Sequence, residues 1–210
     1  MARSKSSDSW LRRHVTDPYV KLAQKEGYRS RSAYKLIELN EKDRLLRPGQ
    51  RVMDLGSAPG GWSQVAARTV GAKGRVLATD ILPMDPIAGV DFIQGDFTSD
   101  EVVQQIQDWL KGEKFDLIIS DIAPNLSGID SADQARSIYF LELALDTVRL
   151  ALKPGAAFIA KMFQGQGSDE YVKELRKSFH KVSIRKPKAS RPESREVYIV
   201  AKDFKGENSQ

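Results

Sequence analysis

The run Arg51-Val52-Met53-Asp54-Leu55 breaks into Gly56-Ser57-Ala58-Pro59-Gly60-Gly61, and from Trp62 onward the chain reads as a helix. A short apolar strand that enters a glycine-rich turn and leaves as a helix is the opening unit of a βαβ fold, and it commits the chain to a sheet covered on both faces. The alternation continues. Strands are predicted at Arg51–Leu55, Arg75–Asp80, Val90–Gln94, Phe115–Asp121, Ala156–Phe163, Lys181–Lys186 and Glu196–Lys202, with helices near 61–70, 99–110, 132–152 and 168–178. In the third of these helices Ile138, Leu141, Leu145, Val148 and Leu152 make one apolar stripe. Two earlier helical stretches, near 17–26 and 31–43, end at the breaker Arg47-Pro48-Gly49. The expected fold is α/β, a doubly wound and mostly parallel sheet. Only Pro187–Arg195 separates the last two strands, too little for a crossover helix, so these two should pair antiparallel and give the sheet an antiparallel C-terminal strand.

Length and composition fit one core. The chain has 210 residues, 40% of them hydrophobic, which suits a single domain over 10–202 with polar tails at 1–9 and 203–210. No apolar run reaches the ~20 residues of a membrane span, and no apolar segment follows Arg3 and Lys5, so the sequence predicts a soluble, unexported protein. Cysteine is absent and the two histidines, His14 and His180, lie far apart, which points to chemistry without a metal. The net charge of +5 is unevenly spread: residues 1–51 hold 13 Lys/Arg against 6 Asp/Glu, residues 52–172 hold 9 against 17, and residues 173–205 hold 11 against 4. Basic ends around an acidic middle suit a polyanion gripped by the ends and a cationic ligand in the middle, although ordinary surface solubility gives the same totals.

Four features carry candidate chemistry. The glycine-rich turn lets a ligand approach the backbone, although such a turn can also be purely structural, and Pro59 removes an amide that a diphosphate would use. Asp80, Asp96 and Asp121 each follow a predicted strand, so all three should stand at the carboxyl edge of the sheet. Asp80 lies 24 residues after Gly56, about where a ribose-binding acid is expected. A lone acid there is commonly a solvated strand end, but three beside a glycine turn suit an adenosine ligand bearing a sulfonium. Lys161 sits in Ala156-Ala157-Phe158-Ile159-Ala160-Lys161-Met162-Phe163, where an ammonium must reach water, pair with an acid or lose its proton; Asp121, one strand earlier, is the expected partner. Finally, the basic segment from Arg185 to Tyr198 is either a solvated hairpin tip or, with Arg29, Arg31 and Lys35, a phosphate-binding rim.

Taken together, six ordered motifs resemble the FtsJ (RrmJ) family of large-subunit ribosomal RNA 2′-O-methyltransferases. They are Asp54-Leu55-Gly56 with Ala58-Pro59-Gly60-Gly61-Trp62-Ser63-Gln64, Leu82-Pro83-Met84-Asp85-Pro86, Gln94-Gly95-Asp96-Phe97, Ser120-Asp121 with Ala123-Pro124-Asn125 and Ser127-Gly128, Lys161 with Phe163-Gln164-Gly165, and Ser194-Arg195-Glu196-Val197-Tyr198. The resemblance runs from about Trp10 to Lys202 and implies a Rossmann-like class I fold with seven strands. It implies that Gly60, Trp62, Asp80, Asp96 and Asp121 contact S-adenosylmethionine and that Lys35, Asp121, Lys161 and Glu196 form a catalytic tetrad with Lys161 as proton acceptor. It further implies a uridine ribose in the A-loop of 23S ribosomal RNA as substrate, late in large-subunit assembly, in the bacterial cytoplasm, by a monomer. Residues 10–46 would form an RNA-binding extension, and Arg29, Arg31, Lys35, Lys186, Arg191 and Arg195 would contact RNA. An amine with an ordinary pKa near ~10.4 is mostly protonated at neutral pH, so the role given to Lys161 requires burial or a neighbouring cation such as Lys35, while adjacent acids oppose it. An RNA-binding assembly factor with secondary catalysis, a methyltransferase of another RNA and a nicotinamide-dependent oxidoreductase are the competing readings; Pro59 and the basic ends disfavour the last.

Overall fold

The computed structural model describes residues 16–124 and 130–206. The readings placed on 1–9, Trp10, His14, Asn125, Ser127, Gly128 and 207–210 lie outside the described residues. In chain order the elements are α1 (Pro18–Glu26), α2 (Ala33–Asp43), β1 (Arg51–Leu55), α3 (Gly61–Val70), β2 (Arg75–Asp80), β3 (Val90–Gln94), α4 (Asp100–Leu110), β4 (Phe115–Ser120), α5 (Asp130–Ala151), β5 (Leu152–Phe163), α6 (Ser168–Ser178), β6 (Phe179–Arg185) and β7 (Glu196–Phe204). Local chemistry sets several ends. Asp17 caps α1 by accepting from the Tyr19 amide, with Pro18 in the first turn and Gly27 left-handed at the other end.

The seven strands form one sheet in the order β3-β2-β1-β4-β5-β7-β6. All neighbouring pairs are parallel except those of β7, which runs antiparallel to both β5 and β6. The expected antiparallel C-terminal strand is therefore present, and it lies inside the sheet between β5 and β6. Its burial explains this position: Val197 to Ala201 are all buried, an apolar content that an edge strand would waste, whereas β6 carries His180, Lys181 and a half-exposed Ile184 at the rim. Helices α2 and α3 cover one face through Leu36, Leu39, Trp62, Val65 and Val70 over Val52, Leu117, Ile159 and Val200. Helices α4, α5 and α6 cover the other through Ile106, Leu145, Val148 and Leu175 over Met53, Leu77, Ile118 and Phe158.

Two boundaries differ from the sequence reading. β5 begins at Leu152 because a register shift between Phe115 and Leu117 absorbs Pro154-Gly155, which read as a strand break. Leu152, assigned to the helical stripe, is thus a strand residue. β7 continues to Phe204, not into a tail, because Phe204 is buried with its ring 5.2 Å from that of Phe179.

One ionisable group is sealed inside this frame. Asp54, 1% exposed near the end of β1, accepts at 2.6 Å from the Ser63 hydroxyl of α3, and its Oδ1 has no hydrogen-bond partner. Burial pushes its carboxyl up to about 7, against the Ser63 hydrogen bond and with help from Asp121 and Asp80. A carboxyl whose folded value lies above its unfolded value of ~3.9 adds full stability below that value and loses it as pH rises towards about 7. Asparagine keeps the Ser63 contact without a charge. Asp54→Asn should therefore gain on the wild type between pH 5 and pH 8, by a few kcal/mol at most and about 1.4 kcal/mol per unit of titration. Denaturant melts of both proteins at the two pH values measure this; parallel pH dependence would mean that Asp54 stays ionised.

Candidate active site

Sheet register assembles the site. Ser120 on β4 is paired with Ala160 on β5, so Asp121, the next residue, comes level with Lys161. On the other side Lys161 is paired with Tyr198 of β7. Asp121, Lys161 and Tyr198 thus form one row across three strands on the face covered by α2 and α3. Glu196, two residues before Tyr198, projects to the same face.

The side chains close this row. Lys161, 7% exposed at its side chain, donates to the Asp121 carbonyl at 2.6 Å and lies 3.2 Å from Asp121 Oδ1. The Tyr198 hydroxyl donates to that same Oδ1 at 2.6 Å. Lys35, delivered by α2 and 9% exposed at its side chain, pairs with Glu196 Oε1 at 2.7 Å and lies over the Tyr198 ring at 5.7 Å. Burial alone would raise the Glu196 carboxyl, but Lys35, then Lys161 and the Ser190 hydroxyl outweigh it and hold it below the usual carboxylate range. Burial and the neighbouring Asp121 and Glu196 push the Tyr198 phenol well above its ordinary value, so it remains a neutral donor. The two lysines and two acids expected to act together are therefore in two ion pairs joined through Tyr198. Tyr198 was missed, although its spacing of two from Glu196 in a strand put it on the same face.

Beside this row lies the glycine turn. Gly60 has a φ of +108°, open only to glycine without strain, and a Cβ there would meet Ile87 at 2.5 Å and Met84 at 3.0 Å. Asp80 anchors the turn, accepting from the Ala58 amide through Oδ2 and from the Leu82 amide through Oδ1, both at 2.8 Å. Each oxygen keeps a second lone pair for a ribose hydroxyl. Asp96 is exposed two residues beyond β3, with Oδ1 taken by the Thr98 amide and hydroxyl. Since β3, β2, β1 and β4 are neighbours, Asp96, Asp80, the turn and Asp121 succeed one another along one carboxyl edge. The Trp62 side chain faces elsewhere: it is 2% exposed, donates to the Ser32 carbonyl at 2.8 Å and packs on Tyr198. Its backbone lies in the first turn of α3, two residues after Gly60.

The two basic ends of the chain meet. Glu38 of α2 accepts from the Lys188 and Ala189 amides at 2.6 and 2.9 Å, and Arg31 donates to the Ala189 carbonyl at 2.7 Å, tying the β6–β7 loop to the N-terminal helices. Arg31, Lys35, Arg191, Ser194 and Glu196 line a cleft of about 350 Å³ there. Arg31 and Arg191 also flank Asp17, at 2.9 and 3.9 Å. Lys186 donates to the Ser194 carbonyl, and Arg195 pairs with Asp130 at 3.3 Å. Arg29, grouped with the rim from sequence, is placed differently. Its guanidinium donates to the carbonyls of Pro59, Asp85 and Pro86, and so clamps the glycine turn to the loop after β2. No sequence signal distinguished it from the other arginines of that segment.

Comparison with known proteins agrees with this geometry. A family model described as FtsJ-like methyltransferase matches residues 28–204. The chain is 68% identical over 206 residues to a protein of Stutzerimonas stutzeri named Ribosomal RNA large subunit methyltransferase E, covering 98% of this chain and 100% of that one. It is 56% identical over 207 residues to a protein of the same name from Pseudomonas aeruginosa, covering 99% and 100%. Among solved structures, one named a ribosomal RNA methyltransferase from Plasmodium falciparum superposes with a TM-score of 0.78 at 33% identity, covering 85% of this chain and 100% of that one. The chain belongs to the FtsJ-like methyltransferase family.

Proposed function

We propose that this protein transfers a methyl group from S-adenosylmethionine to the 2′-oxygen of a uridine ribose in the A-loop of 23S ribosomal RNA, within the large subunit, as a cytoplasmic monomer. The observation that carries the reading is the buried row Asp121-Lys161-Tyr198 with the Lys35–Glu196 pair, set directly beside the glycine turn. The names and identities of the relatives support the ribosomal substrate.

The residues at the carboxyl edge fit S-adenosylmethionine. Asp80 and Asp96 offer acceptors for the adenosine hydroxyl and amino groups, Gly60 and the Trp62 amide stand at the positive end of α3 for a carboxylate, and Asp121 suits a sulfonium. Bound there, the cosubstrate supplies an electrophilic methyl for in-line attack. The protein has then to align the ribose and take one proton. The resting Lys161–Asp121 ion pair must first release one lysine proton to solvent; the neutral amine then has two N–H bonds for the Asp121 carbonyl and Oδ1, and a lone pair for the 2′-proton. The Tyr198 hydroxyl, donating to Asp121 Oδ1, fixes the carboxylate that orients the Lys161 amine. Lys35 and Glu196 hold the acceptor ribose, and Arg31 and Arg191 in the adjoining cleft take backbone phosphates.

The test is transfer from labelled S-adenosylmethionine to large subunits isolated without this modification, followed by mapping. One 2′-O-methylated A-loop uridine is expected; no transfer by folded protein that binds the cosubstrate would support the assembly-factor reading instead. Asp96 tests the cosubstrate site cleanly because it is exposed and the hydrogen bonds to its side chain come from Thr98, two residues on. Asp96→Ala should raise the dissociation constant for S-adenosylmethionine about tenfold, the scale of one charge-assisted hydrogen bond, with little change in melting temperature. Unchanged affinity in a calorimetric titration would remove Asp96 from the site.

A further inference from the structure

We propose that Ser190, in the loop between β6 and β7, is a positioning residue of the methyl-transfer site, setting the Glu196 carboxylate through a buried hydrogen bond, and that Glu38 holds it in place. The inference rests on the methyl-transfer reading above and adds a residue to it. The Ser190 hydroxyl donates to Glu196 Oε1 at 2.8 Å, the same oxygen that Lys35 meets at 2.7 Å. With both donors on one oxygen the carboxylate cannot rotate freely, and Oε2 is presented away from them.

Ser190 is 3% exposed although it belongs to a basic, turn-rich loop of the kind that ordinarily lies in solvent. Burying a hydroxyl is unfavourable unless it is bonded, and the contact with Glu196 satisfies it. The loop itself gains nothing from the hydroxyl, because its turn is made by the backbone, Ser190 N to Pro187 O at 3.0 Å. Glu38 explains why the loop lies inward. Its carboxylate takes the two consecutive amides before Ser190, while Ala189 is fully buried against Ala23 and Tyr34. Ser194 completes the arrangement from the other side by accepting from the Glu196 amide at 3.1 Å. A loop bearing the exposed Lys186, Lys188 and Arg195 on its outer side thus holds, on its inner side, one carboxylate of the reacting cluster.

The test compares wild type, Ser190→Ala, Ser190→Thr and Glu38→Gln in steady-state transfer to undermethylated large subunits, with calorimetric binding of S-adenosylmethionine and thermal melts alongside. Ser190→Ala should lower kcat about tenfold while leaving cosubstrate affinity and melting temperature near wild type. Its acid limb should move to higher pH, because the hydroxyl is one of the groups keeping Glu196 ionised; Lys35 from α2, Lys161 from β5, Asp121 after β4 and Tyr198 from β7 still face it. Threonine should restore most of kcat and the wild-type profile. Glu38→Gln, which offers one acceptor to two amides, should lower kcat in the same direction and raise KM for subunits. Unchanged kcat in Ser190→Ala overturns the proposal, as does a loss that comes with a lower melting temperature, an unmoved pH profile and no rescue by threonine. A wild-type protein that transfers no methyl group overturns the methyl-transfer reading first, and this inference with it.

Discussion

Two ammonium groups buried at the edge of a sheet must each be given an oxygen anion, and everything around the site follows from how this chain supplies them. The register of β4, β5 and β7 brings Asp121 to Lys161 and sets Tyr198 on its far side; α2 then carries Lys35 down onto Glu196. Each lysine without its partner would be a strongly unfavourable buried charge. The four charges therefore constrain the position of β7 within the sheet as well as the seat of α2. A β7 at the sheet edge would break the row, since Tyr198 and Glu196 would no longer flank Lys161.

The N-terminal helices and the β6–β7 loop are the means by which α2 is seated. Asp43 at the end of α2 accepts from Arg185 of β6 and from Lys202 of β7, and Glu38 takes the loop amides. Arg185 and Lys202 are thus engaged in holding these segments together, whereas Arg31 and Arg191 adjoin the cleft that opens onto Lys35 and Glu196. Arg29 works on the other side of the site, joining the glycine turn to the loop after β2 through three carbonyls.

Much of this was legible in the residues. Strands β1, β2 and β3 were read with the bounds they have, because each is a short run rich in apolar residues that ends at Gly or Asp. The pairing of Lys161 with Asp121 followed from strand order and from the unfavourable burial of an isolated amine. What could not be read depended on tertiary placement. Whether β7 lies inside or at the edge is decided by which neighbour covers its apolar residues. The burial of Trp62 is set by α2 and β7, elements distant in sequence, so a side chain that resembled a ligand contact is a core residue. Ser190 and Glu38 look like ordinary loop and helix-surface residues until the loop is folded onto α2.

The most direct test of the account separates binding from chemistry at Lys161. In Lys161→Met, whose side chain has similar length and no proton to exchange, calorimetric affinity for S-adenosylmethionine should stay within about threefold of wild type, with a melting temperature showing an intact fold. Single-turnover transfer to undermethylated large subunits should fall by about a hundredfold or more, the scale of a lost general base. Transfer retained within about tenfold, with binding intact, would contradict the account and reduce Lys161 to a group that steers the acceptor hydroxyl.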